Sequence, residues 1–115
     1  PIEWINNTLV IYSLGNFISN QGILYQSIGY KGVVGAFATL DINKIVNEDG
    51  TSNIKLDNLN IELLYTYKNT TKKYYKIIPF SKMNESYLTN YKSIYEQYKC
   101  IIQKYDSSIN VKPSA

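Results

Sequence analysis

The residues best suited to binding chemistry lie in the stretch YSLGNFISNQ, residues 12–21. The apolar and β-branched run 8–14 leads into it and stops at Gly15 and Asn16, which predicts a strand buried on both faces that ends in a turn. A sheet presents groups to a ligand from the carboxyl ends of such strands and from the turns beyond them. Ser13 offers a hydroxyl, Gly15 frees the backbone, and the Asn16 amide both donates and accepts hydrogen bonds. We therefore treat Asn16, Ser13 and Gly15 as ligand-binding candidates.

The same residues also have a purely structural interpretation. Gly15 and Asn16 are common strand terminators, and an asparagine amide often hydrogen-bonds within its own turn. Physical chemistry alone favours this structural role over ligand binding, and the sequence leaves both open.

The chain lacks the residue types that most catalytic and zinc sites require. It has no histidine and a single cysteine, Cys100, so His/Cys zinc sites, Cys-His dyads and Ser-His-Asp triads cannot be assembled from it alone. No general base and nucleophile occur at a recognisable spacing. We therefore predict no catalytic residue, no metal ligand and no cofactor in this chain by itself, and expect Cys100 to be an ordinary helix residue.

The charge balance points weakly towards an anionic partner. The chain has 12 basic residues and 9 acidic ones, a net charge of +3, and all of its basic residues are lysine. Net positive charge attracts polyanions at long range, but these lysines are scattered along the sequence. Arginine does most of the bidentate recognition of phosphate and guanine, so its absence weighs against nucleic acid.

Hydrophobic periodicity predicts an antiparallel sheet. Strands are expected over residues 31–42, 59–67 and 73–78, in addition to the run 8–14. The Asp-Gly pair within 47–51 predicts a hairpin turn. A calcium loop is the alternative for this turn, but Ile45 and Leu56 would stand where its anchoring acids belong.

The period changes to that of a helix in the last third of the chain. Apolar and tyrosine residues recur at three- and four-residue spacing over residues 84–105, which predicts an amphipathic helix capped by Ser81 or Asn84. The polar residues 107–115 are expected to form a flexible tail.

The predicted fold class is α+β: one domain over residues 1–106, with a mainly antiparallel sheet of four to five strands and one C-terminal helix. No run approaches the roughly 18 apolar residues of a membrane span.

The motif at the start of the chain resembles a known family. Residues 1–3, residues 12–17 and Gln21 stand where members of the CapA family of bacterial capsule biosynthesis proteins carry a Pro-Ile-Glu-like stretch, the hexapeptide YSLGNF and a final glutamine. The order of the remaining segments is similar to that family too, although the motif itself covers about a fifth of the chain. Many members have Phe-Asp before the glutamine, whereas Ser19 and Asn20 stand here, so an amide replaces a carboxylate.

The resemblance implies a fold, a location and a partner. The family's domain resembles the calcineurin-like metallophosphoesterases, which have two sheets flanked by helices and a divalent-metal centre of Asp, Asn and His. Those ligands precede the segment seen here, so the chain would be the C-terminal part of the two-sheet domain, with the remainder of that domain as a partner. Members are anchored at the outer face of the cytoplasmic membrane and take part in synthesis, export or retention of poly-γ-glutamate. Asn16 would then line the mouth of the metal cleft, with Ser13 beside it.

Two further expectations accompany this interpretation. The alternative function is a self-contained β-rich module that binds polysaccharide or single-stranded nucleic acid through lysine and tyrosine, which requires a continuous basic and aromatic face. If the chain is a part cut from the two-sheet domain, unpaired apolar strand edges, above all that of residues 8–14, predict a homo-oligomer when the chain is alone.

Overall fold

The computed structural model describes residues 1–19 and 29–115. Within them, five strands form two antiparallel sheets and are followed by one α-helix. These elements are β1 (Ile2–Ile5), β2 (Thr8–Ile11), β3 (Val34–Val46), β4 (Ser52–Asn69), β5 (Tyr74–Pro79) and α1 (Tyr91–Ile102). The predicted α+β fold, mainly antiparallel with four to five strands and a C-terminal helix, is confirmed.

The strands β1 and β2 form a short hairpin through Asn6 and Asn7. Both asparagines have positive φ, 47° and 64°, the conformation of a tight hairpin turn that matches the twist of its strands. The expectation that residues 8–14 form one strand buried on both faces is wrong. The strand β2 ends at Ile11, Thr8 is exposed and its other residues are only half-buried, because the hairpin is covered on one side only.

The larger sheet has the order β3-β4-β5 with β4 in the centre. The turn 47–51 joins β3 to β4 as predicted: Gly50 donates its N–H to the Asn47 carbonyl at 3.0 Å and has a φ of 84°. With 18 residues at about 3.3 Å each, β4 reaches about 60 Å. Because the longest dimension of the molecule is 62 Å, β4 spans it from end to end.

One face of the larger sheet packs against α1 and the β1–β2 hairpin. The side chains with the least exposure are Phe80, Ile2, Ile61 and Leu63. The tyrosine stripe of α1 faces this core as predicted, since Tyr91 and Tyr95 are buried with Ile94 between them.

The helix is shorter than the predicted 84–105. The Asn84 side chain accepts a hydrogen bond from the Ser86 N–H at 3.0 Å, a local turn that competes with helix formation. Asn90 has a left-handed φ of 58°, so regular helix begins only at Tyr91. The residues between them still follow the helical spacing in part, because Leu88 is buried.

The expectation of a flexible tail over residues 107–115 does not match the structure. Ile109 and Val111 are 2% and 6% exposed. Ile61 donates its N–H to the Asn110 carbonyl at 3.0 Å and accepts from the Lys112 N–H at 2.8 Å. The C-terminal segment is therefore held along the edge of β4 by contacts that no local pattern reveals.

In the described part of the chain, no helix combines the length and the apolar composition needed to cross a bilayer.

Candidate functional site

Residues 14–16 of the YSLGNF hexapeptide attach to the edge of β3 that faces away from β4. Ala36 donates its N–H to the Leu14 carbonyl at 2.7 Å, and Gly15 lies opposite Gly35 in an isolated antiparallel bridge. Gly15 has a φ of 72°, a conformation that glycine adopts without strain. Its N–H is held by the Ser13 hydroxyl oxygen at 3.1 Å, so Ser13 fixes the turn through its side chain.

The approach of the two chain segments leaves no room for side chains. A Cβ atom added to Gly35 would lie 2.2 Å from the Asn16 carbonyl oxygen, and one added to Gly15 would lie 3.1 Å from the Val34 carbonyl oxygen. The glycine of the hexapeptide is therefore required by backbone contact as well as by its conformation.

The Asn16 amide is directed at its own surroundings. Its Nδ2 atom donates to the Gly32 carbonyl oxygen and to the Ser19 hydroxyl oxygen, each at 3.4 Å. These contacts connect the hexapeptide to the segment that enters β3, as the structural interpretation of Asn16 expects. Gln21 and Asn20, which complete the family resemblance, lie outside the described residues.

Ser13 and Gly15 also line a pocket between the hexapeptide, β3 and α1. The pocket has a volume of about 260 Å³, and Asn16 does not line it. Its walls are mainly apolar, formed by Leu14, Val34, Ala36, Leu63, Tyr98 and Ile102. With so little polar lining, it suits an apolar group better than a charged substrate. The three predicted site residues are thus adjacent, but only Ser13 and Gly15 share this pocket.

The described residues do not assemble a metal site. Over residues 1–19 and 29–115, no group of three or more His, Cys, Asp or Glu side chains comes together. The lone cysteine, Cys100, is exposed on α1.

A second candidate site lies on the hairpin formed by β4 and β5. Residues 68–76 contain four lysines and no acidic residue. All four lysines are exposed: Lys68, Lys72, Lys73 and Lys76. Between them Tyr74 and Tyr75 are 41% and 42% exposed. We call these six residues the basic hairpin. Eight of the twelve lysines are scattered as expected, but four are concentrated at 68–76, a run that the sequence already shows.

Three of the four lysines in the basic hairpin form no ion pair in the described part of the chain. Asn69 closes the turn by accepting the Lys72 N–H at 2.8 Å, and Lys73 takes a φ of 52°. Lys72, Lys73 and Lys76 form none of the ion pairs found in residues 1–19 and 29–115, which are made by Lys55, Lys99 and Lys112. The charge of these three hairpin lysines is therefore available to an anionic partner.

The tyrosine rings of this region already have cationic neighbours. The Lys68 ammonium lies 5.6 Å from the centroid of the Tyr75 ring, and the Lys76 ammonium lies 5.5 Å from the centroid of the Tyr87 ring. The ammonium group is attracted to the electron-rich face of the aromatic ring. One face of the Tyr75 ring and one face of the Tyr87 ring are thus partly covered by lysine.

The two ends of the molecule carry opposite charge. Because β4 spans its whole length, the basic hairpin lies at one end and the turn 47–51 at the other. That turn contains Glu48 and Asp49, and hydrogen bonds from the Thr51 hydroxyl and N–H hold the pKa of Asp49 below its ordinary value. An extended polyanion would therefore be attracted to the hairpin end and repelled from the other.

Comparison with known proteins returned no relative: no family model, no curated protein and no solved structure matches this chain.

Proposed function

We propose that this chain is the C-terminal part of a CapA-like protein that takes part in synthesis, export or retention of poly-γ-glutamate. Its own contribution is to hold the anionic polymer, without complete catalytic machinery of its own. The hexapeptide at residues 12–17 and its setting support the family, and the basic hairpin supports the kind of partner.

The observation that carries the polymer-binding part is the concentration of lysine at residues 68–76. Poly-γ-glutamate presents one carboxylate per repeat on a flexible chain, so it needs a field of positive charge rather than a shaped pocket. Lysine provides such charge through mobile ammonium groups. The hairpin tip has the sequence NTTKK, which contains no apolar side chain to insert into a bilayer. This tip favours a soluble polyanion over a membrane surface.

Two features weigh against the nucleic-acid version of the alternative function. Single-stranded nucleic acid binds by stacking bases on open aromatic faces, whereas Lys68 and Lys76 lie over the rings of Tyr75 and Tyr87. The chain also lacks arginine. The exposed ring of Tyr74 could pack against a sugar, so a neutral polysaccharide is the alternative ligand. Measuring the affinity of the chain for poly-γ-glutamate and for a neutral polysaccharide distinguishes the two.

The hexapeptide has a positioning role in this proposal. Ser13, Gly15 and Asn16 fasten the strand end to β3, and in the complete domain this turn borders the metal cleft. The parent protein is a metal-dependent, hydrolase-like protein anchored at the outer face of the bacterial cytoplasmic membrane. The N-terminal remainder of its domain packs against the sheets described here.

The family assignment is tested by reading the source DNA upstream of the codon for Pro1. The proposal expects a Gly-His-x-x-His-like stretch close to Pro1, with Asp, Asn and His motifs and a membrane anchor further upstream. A start codon immediately before Pro1 would overturn the assignment. The polysaccharide-binding module would then be the better interpretation.

A further inference from the structure

Beyond the irregularity between Thr39 and Asp41, β3 and β4 project from the body of the molecule as a two-stranded arm, residues 40–57. The radius of gyration, 17.2 Å, exceeds the roughly 13 Å expected of a compact chain of this length, in keeping with such a projection. A hairpin of two strands with an open face is only marginally stable in water. The arm is therefore a surface that gains stability from a partner.

One face of the arm is apolar. Directly paired residues share a face, which places Ile42 beside Leu56 and Lys44 beside Ile54, with Val46 next along β3. Ile42, Val46 and Ile54 are 68%, 66% and 68% exposed. The opposite face is more polar: Asn43 and Asp57 are hydrogen-bonded across it. The arm is thus amphipathic, and its apolar face continues the core-facing side of the sheet.

The outer edge of β3 has a backbone ready to pair. Ala36 donates its N–H away from β4, to Leu14, so alternate residues of β3 direct their N–H and C=O groups to this edge. The extra residue of the irregularity is on β4, since Thr39 pairs with Asn60 and Asp41 with Asp57. The alternation in β3 therefore continues through residues 38, 40, 42, 44 and 46. Among the described residues, no backbone hydrogen bond reaches this edge beyond Ala36.

We propose that a second copy of this chain pairs with this edge, β3 against β3, about a two-fold axis at Ile42. Residue 42 then lies opposite its own copy, Asn43 lies opposite the second copy's Asp41, and the two arms form one four-stranded sheet with a continuous apolar face. The Asn43 and Asp41 side chains provide a donor and an acceptor on each side of the axis. The interface does not depend on the polymer-binding function.

Both the length and the register of the edge fit this arrangement. Pairing about Ile42 uses residues 38–46 of both copies and supplies about ten backbone hydrogen bonds, the number typical of a specific interface. The strand of the second copy then ends with Val46 opposite Ala38, two residues before Ala36, whose N–H is already bonded to Leu14. Moving the two-fold axis from Ile42 to Lys44 would place the Lys44 side chains of the two copies opposite each other. Moving it to Leu40 would bring the turn 47–51 of the second copy into residues 14–16. The axis at Ile42 is therefore the favoured register.

The test combines sedimentation equilibrium with directed cross-linking of the full chain. Lys44→Pro removes an N–H from the proposed interface, which an edge strand tolerates when that N–H is not bonded within its own sheet. Ser52→Pro is the matched control on the outer edge of β4. We expect wild type and Ser52→Pro to approach twice the 13.2 kDa chain mass at high concentration, and Lys44→Pro to remain at the single-chain mass.

Cross-linking tests the register in case a proline variant misfolds. In a Cys100→Ser background, Ile42→Cys places two thiols at the axis. Their Cα atoms would be about 5.5 Å apart, as in a hydrogen-bonded antiparallel pair, a separation that suits a disulfide. Ile54→Cys is the control, because Ile54 and Ile42 are equally exposed, at 68%. Mild oxidation should give a covalent dimer at least tenfold faster for Ile42→Cys. A single-chain mass for wild type at all concentrations, or equal cross-linking of both variants, would overturn the proposal.

Discussion

Gly15 and Gly35 lie opposite each other in two neighbouring chain segments. The segments approach so closely that a methyl group at either position would require the backbone to move. A Cβ atom on Gly35 would lie 2.2 Å from the Asn16 carbonyl oxygen. This contact holds the hexapeptide against β3. Residues that the sequence offers as a ligand-binding turn are therefore attached to the sheet.

Gly35→Ala should therefore destabilise the protein through this contact. We expect the free energy of unfolding to fall by about 2–3 kcal/mol, as for overpacking of a rigid site. Urea denaturation measures the loss, and the Ala36 amide should exchange faster because its bond to Leu14 is strained. Gly50→Ala is the control: its Cβ meets nothing within 4 Å, so only the left-handed conformation costs about 1 kcal/mol. Equal losses for the two variants would contradict the contact.

Asn16→Asp tests whether this residue positions its own turn. The change keeps the shape but removes the amide donor to the Gly32 carbonyl and the Ser19 hydroxyl, so stability at pH 7 should fall by about 1 kcal/mol. Asn53→Asp, on the exposed arm, is the control and should change stability little. If the Asn16 variant is as stable as wild type, the positioning role is wrong and the ligand-binding interpretation gains weight.

Glu62 should make stability depend on pH in the acid range. Its partial burial by itself raises its pKa, but hydrogen bonds from Ser81 and Lys112, with the attraction of Lys112 and Lys82, outweigh this and hold the pKa below the ordinary value. A carboxyl group whose pKa is lowered by folding adds stability above its unfolded pKa, near 4.3. It loses that contribution as the pH falls through the folded pKa.

Glu62→Gln should therefore cost about 1 kcal/mol at pH 7, and the difference from wild type should shrink as the pH falls below the ordinary pKa of a glutamate carboxyl group. Urea denaturation across this pH range measures it. Glu96→Gln is the control, since Glu96 is 62% exposed in its pair with Lys99 and should have little effect. A difference that stays constant from pH 7 to pH 3 would rule out the ionised Glu62 as its source.

Ile109→Ala tests whether the C-terminal segment belongs to the core. Ile109 is 2% exposed, so truncating it should lower the free energy of unfolding by about 2–4 kcal/mol. Ser107→Ala, at an exposed position, should be nearly neutral. Limited proteolysis provides a second measurement, because a packed segment resists cleavage. Rapid removal of residues 107–115 without loss of stability would restore the prediction of a flexible tail.

The sequence predicted the elements whose signals are local. The Asp-Gly pair located the turn 47–51, the alternation at 59–67 located the buried half of β4, and the tyrosine spacing identified the helical face that packs on the sheet. Each of these depends on neighbours a few residues apart, which is the range that periodicity and turn chemistry report.

Contacts between distant residues explain most of what the sequence did not predict. Val111 pairs with Ile61, 50 positions away, so a polar-looking tail becomes a buried segment. The outer half of β4 went unrecognised because the irregularity near Asn58 breaks the alternation: Ile54 and Leu56 are one residue out of phase with Leu59 and Ile61. The late start of α1 depends on two asparagines: one forms a local turn and the other takes a left-handed conformation. The basic hairpin was not predicted as a candidate site, because the small net charge of the whole chain does not show the run of lysines at 68–76.

The most direct test of the proposed function is polymer binding by the full chain. The variant Lys72→Gln, Lys73→Gln, Lys76→Gln removes three charges from the basic hairpin. The control Lys44→Gln, Lys55→Gln, Lys104→Gln removes three from elsewhere. Titration with poly-γ-glutamate of defined length at low salt should show a Kd raised about ten- to hundredfold for the hairpin variant, at up to about 1 kcal/mol per lysine. The control should bind like wild type, and added salt should abolish the difference. Equal binding by both variants, or tighter binding of a neutral polysaccharide than of poly-γ-glutamate, would contradict the proposed function.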